Sequence, residues 1–340
     1  MSSEEIHVNI RERIRLDVYL TRHLAHVSRN RVQRHIHAGD VLVDGQTVRP
    51  NHLLLGGEVI RLPTFGARQL DRASEPVDFE IIYEDADLAV VDKPAGLLMH
   101  PVGLEFQRTL LNGLYHRMRD RGDDPSAMGI VHRLDRLTSG LVVMAKTLEA
   151  RRLLSFDVEH RRVSRDYLAI VVGEPTAPRG VIDLYIGRDP TRPTRMRAMR
   201  AEDVPQALRA IVRPQVSESG YSDPRLNLRP RSARTHWRIL RRLPGATLLG
   251  FRLETGRTHQ IRVHSQAAGW PLLGDPLYGA KGLRPETPTG ALNQTLARPA
   301  LHAARLEFTH PRTRLRMHFR ARMPDDMRAA VAALASIASK

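Results

Sequence analysis

The stretch PTFGARQLDRASEPVDF, Pro63 to Phe79, is polar, broken by proline and glycine, and carries neither the period of a helix nor the alternation of a strand. A chain of 340 residues interrupted in this way is not expected to share one core across the break. The reading is therefore of a small module over residues 14–62, a linker over 63–78 and a larger domain over 79–340.

In the small module, RLDVYLTRHLA places Leu16, Tyr19, Leu20 and Leu24 on one helical face. SRNRVQRHIHAG follows as a second helix, with Ser28 as candidate N-cap, Val32 and Ile36 on the inner face and Gly39 as the stop. Its other face carries Arg29, Arg31, Arg34 and His35. DVLVDGQTVRP predicts a hairpin with a type I′ turn at Asp44-Gly45, and EVIRL a further strand. This arrangement resembles the S4-type RNA-binding module, which implies that Arg29, Arg31 and Arg34 face RNA.

The larger domain opens with strands over Ile81–Tyr83 and Leu88–Val91, followed by an abrupt bend at Lys93-Pro94-Ala95-Gly96. Thr109 and Thr147 are positioned to cap two helices, with the strand GLVVMAK between them and RDYLAIVV after them. Two more strands fall in THWRILRRLPGATLLGFRLE, and a helix is expected near Thr258. GLRPETPTGALNQTLARP reads as a surface loop, 199–230 as an insertion, and the chain closes with a helix from Pro324. Strands and helices alternate without the cadence of a doubly wound sheet, so the fold class expected is α+β with a mixed, largely antiparallel sheet.

The chain contains no cysteine, which excludes disulfides, thiolate catalysis and cysteine-ligated metals. No apolar run approaches the roughly 18 residues of a membrane span and the N-terminus has no signal-peptide core, so a cytoplasmic protein is expected. The net charge is +16, carried almost wholly by arginine, with lysine only at positions 93, 146, 281 and 340. Such an excess calls for a polyanionic partner, most simply RNA or DNA, and RNA would also supply a large interface to an expected monomer. In GDPLYGAKG, Gly279 is followed by Ala280-Lys281-Gly282 rather than by the lysine and then hydroxyl of a phosphate loop, and no serine sits in a nucleophile elbow. Among the 16 histidines none forms H-E-x-x-H, so His259 and His264 are read as part of a basic surface and no metal is expected.

GIVHRLDRLTSG, Gly129 to Gly140, remains. One carboxylate, Asp135, stands among His132, Arg133 and Arg136, in a loop flanked by apolar segments, and cationic neighbours keep such a group ionised. HRLDRLTSGLVVMAKT resembles the catalytic motif of the RluA-type pseudouridine synthases. It is joined, in the family's order, by YEDADLAVVDKPAGLLMHP, RDYLAIVVGEP, LETGRTHQIRVHSQAAGWPLLGDPLYG and LHAARLEFTHP, covering about Phe79 to Met323. The resemblance implies a cofactor-free RNA isomerase acting on a flipped-out uridine, with Asp135 as nucleophile or base. It implies Tyr167 against the base, Arg257 as the ion partner of Asp135 with Arg262 second, and Arg133 in the stack that the nucleotide leaves. His132, Arg136 and Arg262 join the residues expected around the RNA. An S4-type module ahead of this domain points to large-subunit ribosomal RNA; a transfer-RNA enzyme and a catalytically silent RNA-binding or assembly protein are the alternatives. A glycoside hydrolase would need a second acid, for which Glu254 and Asp275 are available. The chain departs from the family at Arg165, where lysine is usual, and at Arg298-Pro299.

Overall fold

A computed structural model describes residues 3–10, 13–24, 27, 29–63, 76–101, 108–192, 194–204 and 230–337. They belong to two compact units that separate within residues 72–73.

The first unit begins with strand β1, Ser3–His7, followed by β2, Ile14–Arg15. Helices Leu16–His23 and Arg29–His37 come next, then β3, Leu42–Val43, and β4, Gln46–Thr47. Strands β5, Leu53–Leu54, and β6, Val59–Pro63, complete it. Asp44 and Gly45 at the hairpin tip have φ of 47° and 79°, as a type I′ turn requires. Leu16, Leu20, Val32, Ile36, Leu54, Ile60 and Leu62 form the core. One element was not read from sequence: β1 pairs antiparallel with β6 and contributes Ile6 to that core, so the unit starts well before residue 14. Ser28, the proposed cap, lies outside the described residues, as do the side chains of Arg29, Arg31 and Arg34.

The second unit is α+β and is built on a mixed, mostly antiparallel sheet. Its strands are β7, Glu80–Glu84; β8, Leu88–Lys93; β9, Gly129–Ile130; β10, Ser139–Ala145; β11, Ser164–Val172; and β12, Arg179–Arg188. They continue with β13, Met196–Met199; β14, Arg231–Leu243; β15, Ala246–Leu253; β16, Leu301–Thr309; and β17, Arg316–Arg320. The order is β13-β12-β14-β15-β11-β16-β10-β8-β7, with β9 on β10 and β17 on β16. Only the β10–β16 pairing is parallel among the described strands. Thr109 and Thr147 cap helices Leu110–Asp120 and Leu148–Glu159, each accepting a backbone N–H on its hydroxyl.

One reading of the sequence is corrected here and another is given its bounds. Residues 282–299 are not all loop: Thr287 caps a helix, Pro288–Leu296, whose proline occupies the first turn. The helix expected near Thr258 is Gln260–Ala267, because His259 takes a left-handed conformation, φ 57°, and turns the chain first. Most of the segment read as an insertion lies outside the described residues.

Candidate active site

Asp135 sits in the loop between β9 and β10, and the loop is fixed from beneath. Leu134 and His132 turn inward and are buried, while Arg133 and Arg136 are exposed. Backbone Thr138 N donates to Asp135 O at 3.1 Å, closing a tight turn. Gly140 then enters β10 with φ 115°, and a Cβ there would come within 2.4 Å of Ala303 O. Only glycine lets β10 and β16 approach so closely at the exit of the loop.

Lys93 supplies the second fixing. Its side chain is fully buried, and Nζ donates to Pro94 O at 2.8 Å, Leu97 O at 2.9 Å and Arg136 O at 3.1 Å. Those three carbonyls converge on a point, which a compact ammonium satisfies and a planar guanidinium does not. Burial pulls its pKa down to about 7, against the opposing charge of Asp135. Gly96 N donates to Arg136 O and Arg136 Nε donates to Gly96 O, so the Lys93–Gly96 bend and the Asp135 loop are tied together.

The ion partner of Asp135 is Arg262. Its Nη1 donates to Asp135 Oδ2 at 3.4 Å, while Nε and Nη2 grip Asp275 at 2.7 and 2.9 Å. Asp275 is buried and its Oδ1 also accepts from Leu277 N and Tyr278 N. A buried carboxylate thus holds the guanidinium in place, with one nitrogen left for Asp135. Burial opposes the charge on Arg262, but its bonds with Asp275 and the field of Asp135 raise its pKa. Asp135 makes no other side-chain hydrogen bond among the described residues, and its side chain is 18% exposed.

The sequence reading of Arg257 as that partner is therefore corrected. Arg257 Nε donates to Ser232 O at 3.2 Å, and the charges around it are Arg231 and Arg161. The left-handed turn at His259 separates the two arginines: Arg257 precedes it, and Arg262 is carried inward on the first turn of the helix.

Tyr167 is brought to Asp135 by β11, and its phenol feels the charges of both Arg165 and Asp135. Opposite Asp166 and Tyr167 the β16 strand carries a bulge, with Ala304 skipped in the register. Tyr167 is buried, and burial raises its pKa. Arg133 stands exposed close to His100 and His259, whose pKa values its charge helps to lower after burial has done so.

His132, expected among RNA contacts, is instead part of the support. It is buried, its Nε2 accepts from Val143 N at 3.3 Å, and burial lowers its pKa to about 3. It stays neutral and presents no face to RNA.

Sequence reasoning missed five contributors. Asp275 had been considered only as a hydrolase acid. Tyr278 Oη accepts from Met196 N and meets His259 Nδ1 at 2.9 Å, so both side chains belong to the wall of the site. His264 is fully buried, with Nδ1 on Thr235 Oγ1, and so neither histidine of that motif is the surface residue it was read to be. A signal for Lys93 was present: a lysine at the KPAG bend is conspicuous in a chain that otherwise uses arginine for positive charge.

The neighbouring acids are all committed. Glu254 accepts from His236 and Arg161, and Asp275 is locked to Arg262, so neither is free to act as a second acid for glycoside hydrolysis. One candidate metal cluster, Asp85, Asp87 and His310, occurs among the described residues. It lies outside this site and its ligand atoms are used: Asp85 accepts from His310, Tyr83 and two backbone N–H groups, and Asp87 from Arg312. A groove of about 840 Å³ lined by Arg179, Arg238, Arg252 and Arg305 also borders Tyr167, while Asp135 does not line it.

The chain is similar to known proteins over most of its length. Residues 87–267 match the family model for RNA pseudouridylate synthase, and residues 14–60 match that for the S4 domain. The ribosomal large subunit pseudouridine synthase D of Nitrosomonas europaea is 39% identical over 326 residues, 95% of this chain and 85% of the relative. That of Pseudomonas aeruginosa is 38% identical, covering 92% of this chain and 89% of the relative. Among solved structures, human RNA pseudouridylate synthase domain containing 4 superposes with a TM-score of 0.56 at 22% identity, over 78% of this chain and 94% of that one.

Proposed function

The chain belongs to the RNA pseudouridylate synthase family and is an isomerase converting uridine to pseudouridine in RNA, and from that premise we propose that it modifies large-subunit ribosomal RNA through Asp135. The observation that carries the assignment of Asp135 is its pairing: Oδ2 faces Arg262 and Oδ1 has no partner among the described residues. One oxygen is anchored and the other is available to the substrate.

Isomerisation breaks the bond from N1 of uracil to C1′ and forms one from C5 to C1′. C5 loses a proton and N1 gains one, so no electrons enter or leave. Whether the carboxylate attacks C1′ or C6, or removes a ribose proton, the step starts at Asp135 Oδ1. Arg262 faces the other carboxylate oxygen, and the Lys93 bend fixes the loop that presents the group. Burial holds the Tyr167 phenol protonated, which favours packing of its ring against the detached base over phenolate chemistry. Arg133, exposed beside the site, is the residue assigned to fill the gap left by the extruded nucleotide.

The ribosomal assignment rests on the names of the two bacterial relatives and on the S4 match, which supports docking on a structured RNA. No helix among the described residues is long and apolar enough to cross a membrane. A cytoplasmic monomer acting on RNA is the arrangement we favour.

The test uses large-subunit RNA transcribed with uridine tritiated at C5. Wild-type protein is expected to release tritium to water and Asp135→Asn to release none. Release only from transfer RNA would move the substrate, free uracil would indicate hydrolysis, and binding without release would indicate a silent RNA-binding protein.

A further inference from the structure

Arg165 is a cation without a counterion. It is 6% exposed, yet its Nε is sealed from solvent with no hydrogen-bond partner, and no carboxylate pairs with its guanidinium among the described residues. Buried charges are normally paired, because an uncompensated one is costly. The acids that could serve it are taken. Asp166, next in sequence, points to the other face of the strand and is held by Arg252 at 2.7 and 3.0 Å. Glu254 is on His236 and Arg161, and Asp135, whose Oδ2 faces Arg262, makes no ion pair with Arg165.

The placement of this charge is specific. Arg165 and Tyr167 are alternate residues of β11 and so share one face of the sheet, the face that Asp135 approaches. The charge of Arg165 is felt by Tyr167 and His132. His132 Nδ1, the ring nitrogen left to carry the proton when Nε2 accepts from Val143 N, is a second sealed donor without a partner. Gly256 makes room for the guanidinium: a Cβ there would lie 2.9 Å from Arg165 Nη1.

We propose that Arg165 is a substrate-binding residue that takes a backbone phosphate adjoining the target uridine. The inference rests on the reading that Asp135 and Tyr167 receive that uridine. Phosphate supplies the missing full negative charge, and its oxygens match the fork of Nη1 and Nη2. Alternate residues of a strand are about 7 Å apart, a span comparable to that from a base to its own phosphate. A nucleotide with its base on Tyr167 therefore brings a phosphate to Arg165.

The test is a chemical double-mutant cycle on a short RNA that the wild-type enzyme modifies. Uncharged methylphosphonate replaces, one at a time, the phosphates on the 5′ and 3′ sides of the target uridine. Tritium release gives KM and kcat for wild type, Arg165→Gln and Arg165→Lys. One substitution is expected to raise KM for wild type by about tenfold to a hundredfold. The same substitution should leave Arg165→Gln nearly unchanged, since the contact is already gone, while Arg165→Lys retains most of the penalty. Additive effects at both phosphates would overturn the proposal. So would a normal KM in Arg165→Gln with only a lowered Tm. If Arg165→Gln does not fold, Arg165→Lys decides alone, because loss of its methylphosphonate penalty contradicts a charge contact. Asp135→Asn on the same RNA reports separately on the reading of the site.

Discussion

Replacing Lys93 by arginine asks whether the Asp135 loop needs a positive charge or an ammonium. Three carbonyls converge on Nζ, and a guanidinium of equal charge cannot occupy that point. Lys93→Arg is expected to lower stability by about 2 kcal/mol and kcat at least tenfold, with RNA affinity held, as tritium release and filter binding would show. A second comparison separates the two arginines of GRTHQIR. Arg262→Ala strands Asp275 as a buried carboxylate and frees Asp135, so it should reduce kcat by a hundredfold or more and lower Tm. Arg257→Ala, which loses a bond to Ser232 O, should leave kcat within about tenfold. Full kcat in Arg262→Ala would refute that ranking. At this scale the sequence was informative where a residue's chemistry is singular, as with Asp135 in its motif. It was ambiguous where several like residues compete. Two arginines five positions apart could each reach the carboxylate, and only the left-handed turn at His259 decides between them.

Among the elements, those stabilised locally were legible and those defined by distant pairing were not. Thr109 and Thr147 announce their helices because a cap and an apolar face lie within one short segment. Strand β1 has no such signal, since its existence depends on β6 at the far end of the unit. Helix Pro288–Leu296 did carry a local sign, a threonine before proline, which was hidden in a stretch rich in turn formers. The parallel contact of β10 with β16 was illegible for the same reason as β1, although Gly140 marks it. Gly140→Ala would place a methyl group against the Ala303 backbone at a positive φ, with neither strand free to yield. We expect a loss of about 3 kcal/mol or more, measured by urea denaturation, and with it the loss of tritium release. A normal urea midpoint would mean that the strands can separate without consequence.

For the whole molecule, two charge effects are predicted. The net charge of +16 is arginine-borne, so affinity for ribosomal RNA should fall linearly in log–log form as salt rises. A flat response in filter binding between 50 and 200 mM salt, concentrations at which counterion release is steep, would contradict it. The other effect concerns acid. Burial lowers the pKa of His132 to about 3 and those of His264 and His302 to about 4. On unfolding these rings regain the ordinary value near 6.5 and take up protons that the folded chain refuses. The contribution of these three histidines is therefore complete above pH about 6.5 and falls as pH drops toward 4, by roughly 1 kcal/mol per histidine for each pH unit, partly offset below pH 6 by Asp92, whose burial raises its pKa to about 6. Carboxylates held below their usual range, Asp85 and Asp87 among them, add their loss only below about pH 4. Urea midpoints at pH 8, 6 and 5 should decline in that order, and His264→Asn should flatten the decline.

The position of β16 bears on when the protein becomes active during its own synthesis. Leu301–Thr309 lies between β11 and β10, which are made much earlier, and both halves of the sheet reach the site only through it. Until β16 leaves the ribosome, β11, which carries Tyr167, and β10, which follows the Asp135 loop, have no common neighbour. Contacts this distant along the chain are slow to form and come late. A nascent chain stalled before β16 should bear every catalytic group and yet have no active site, so that chemistry is coupled to completion of the chain.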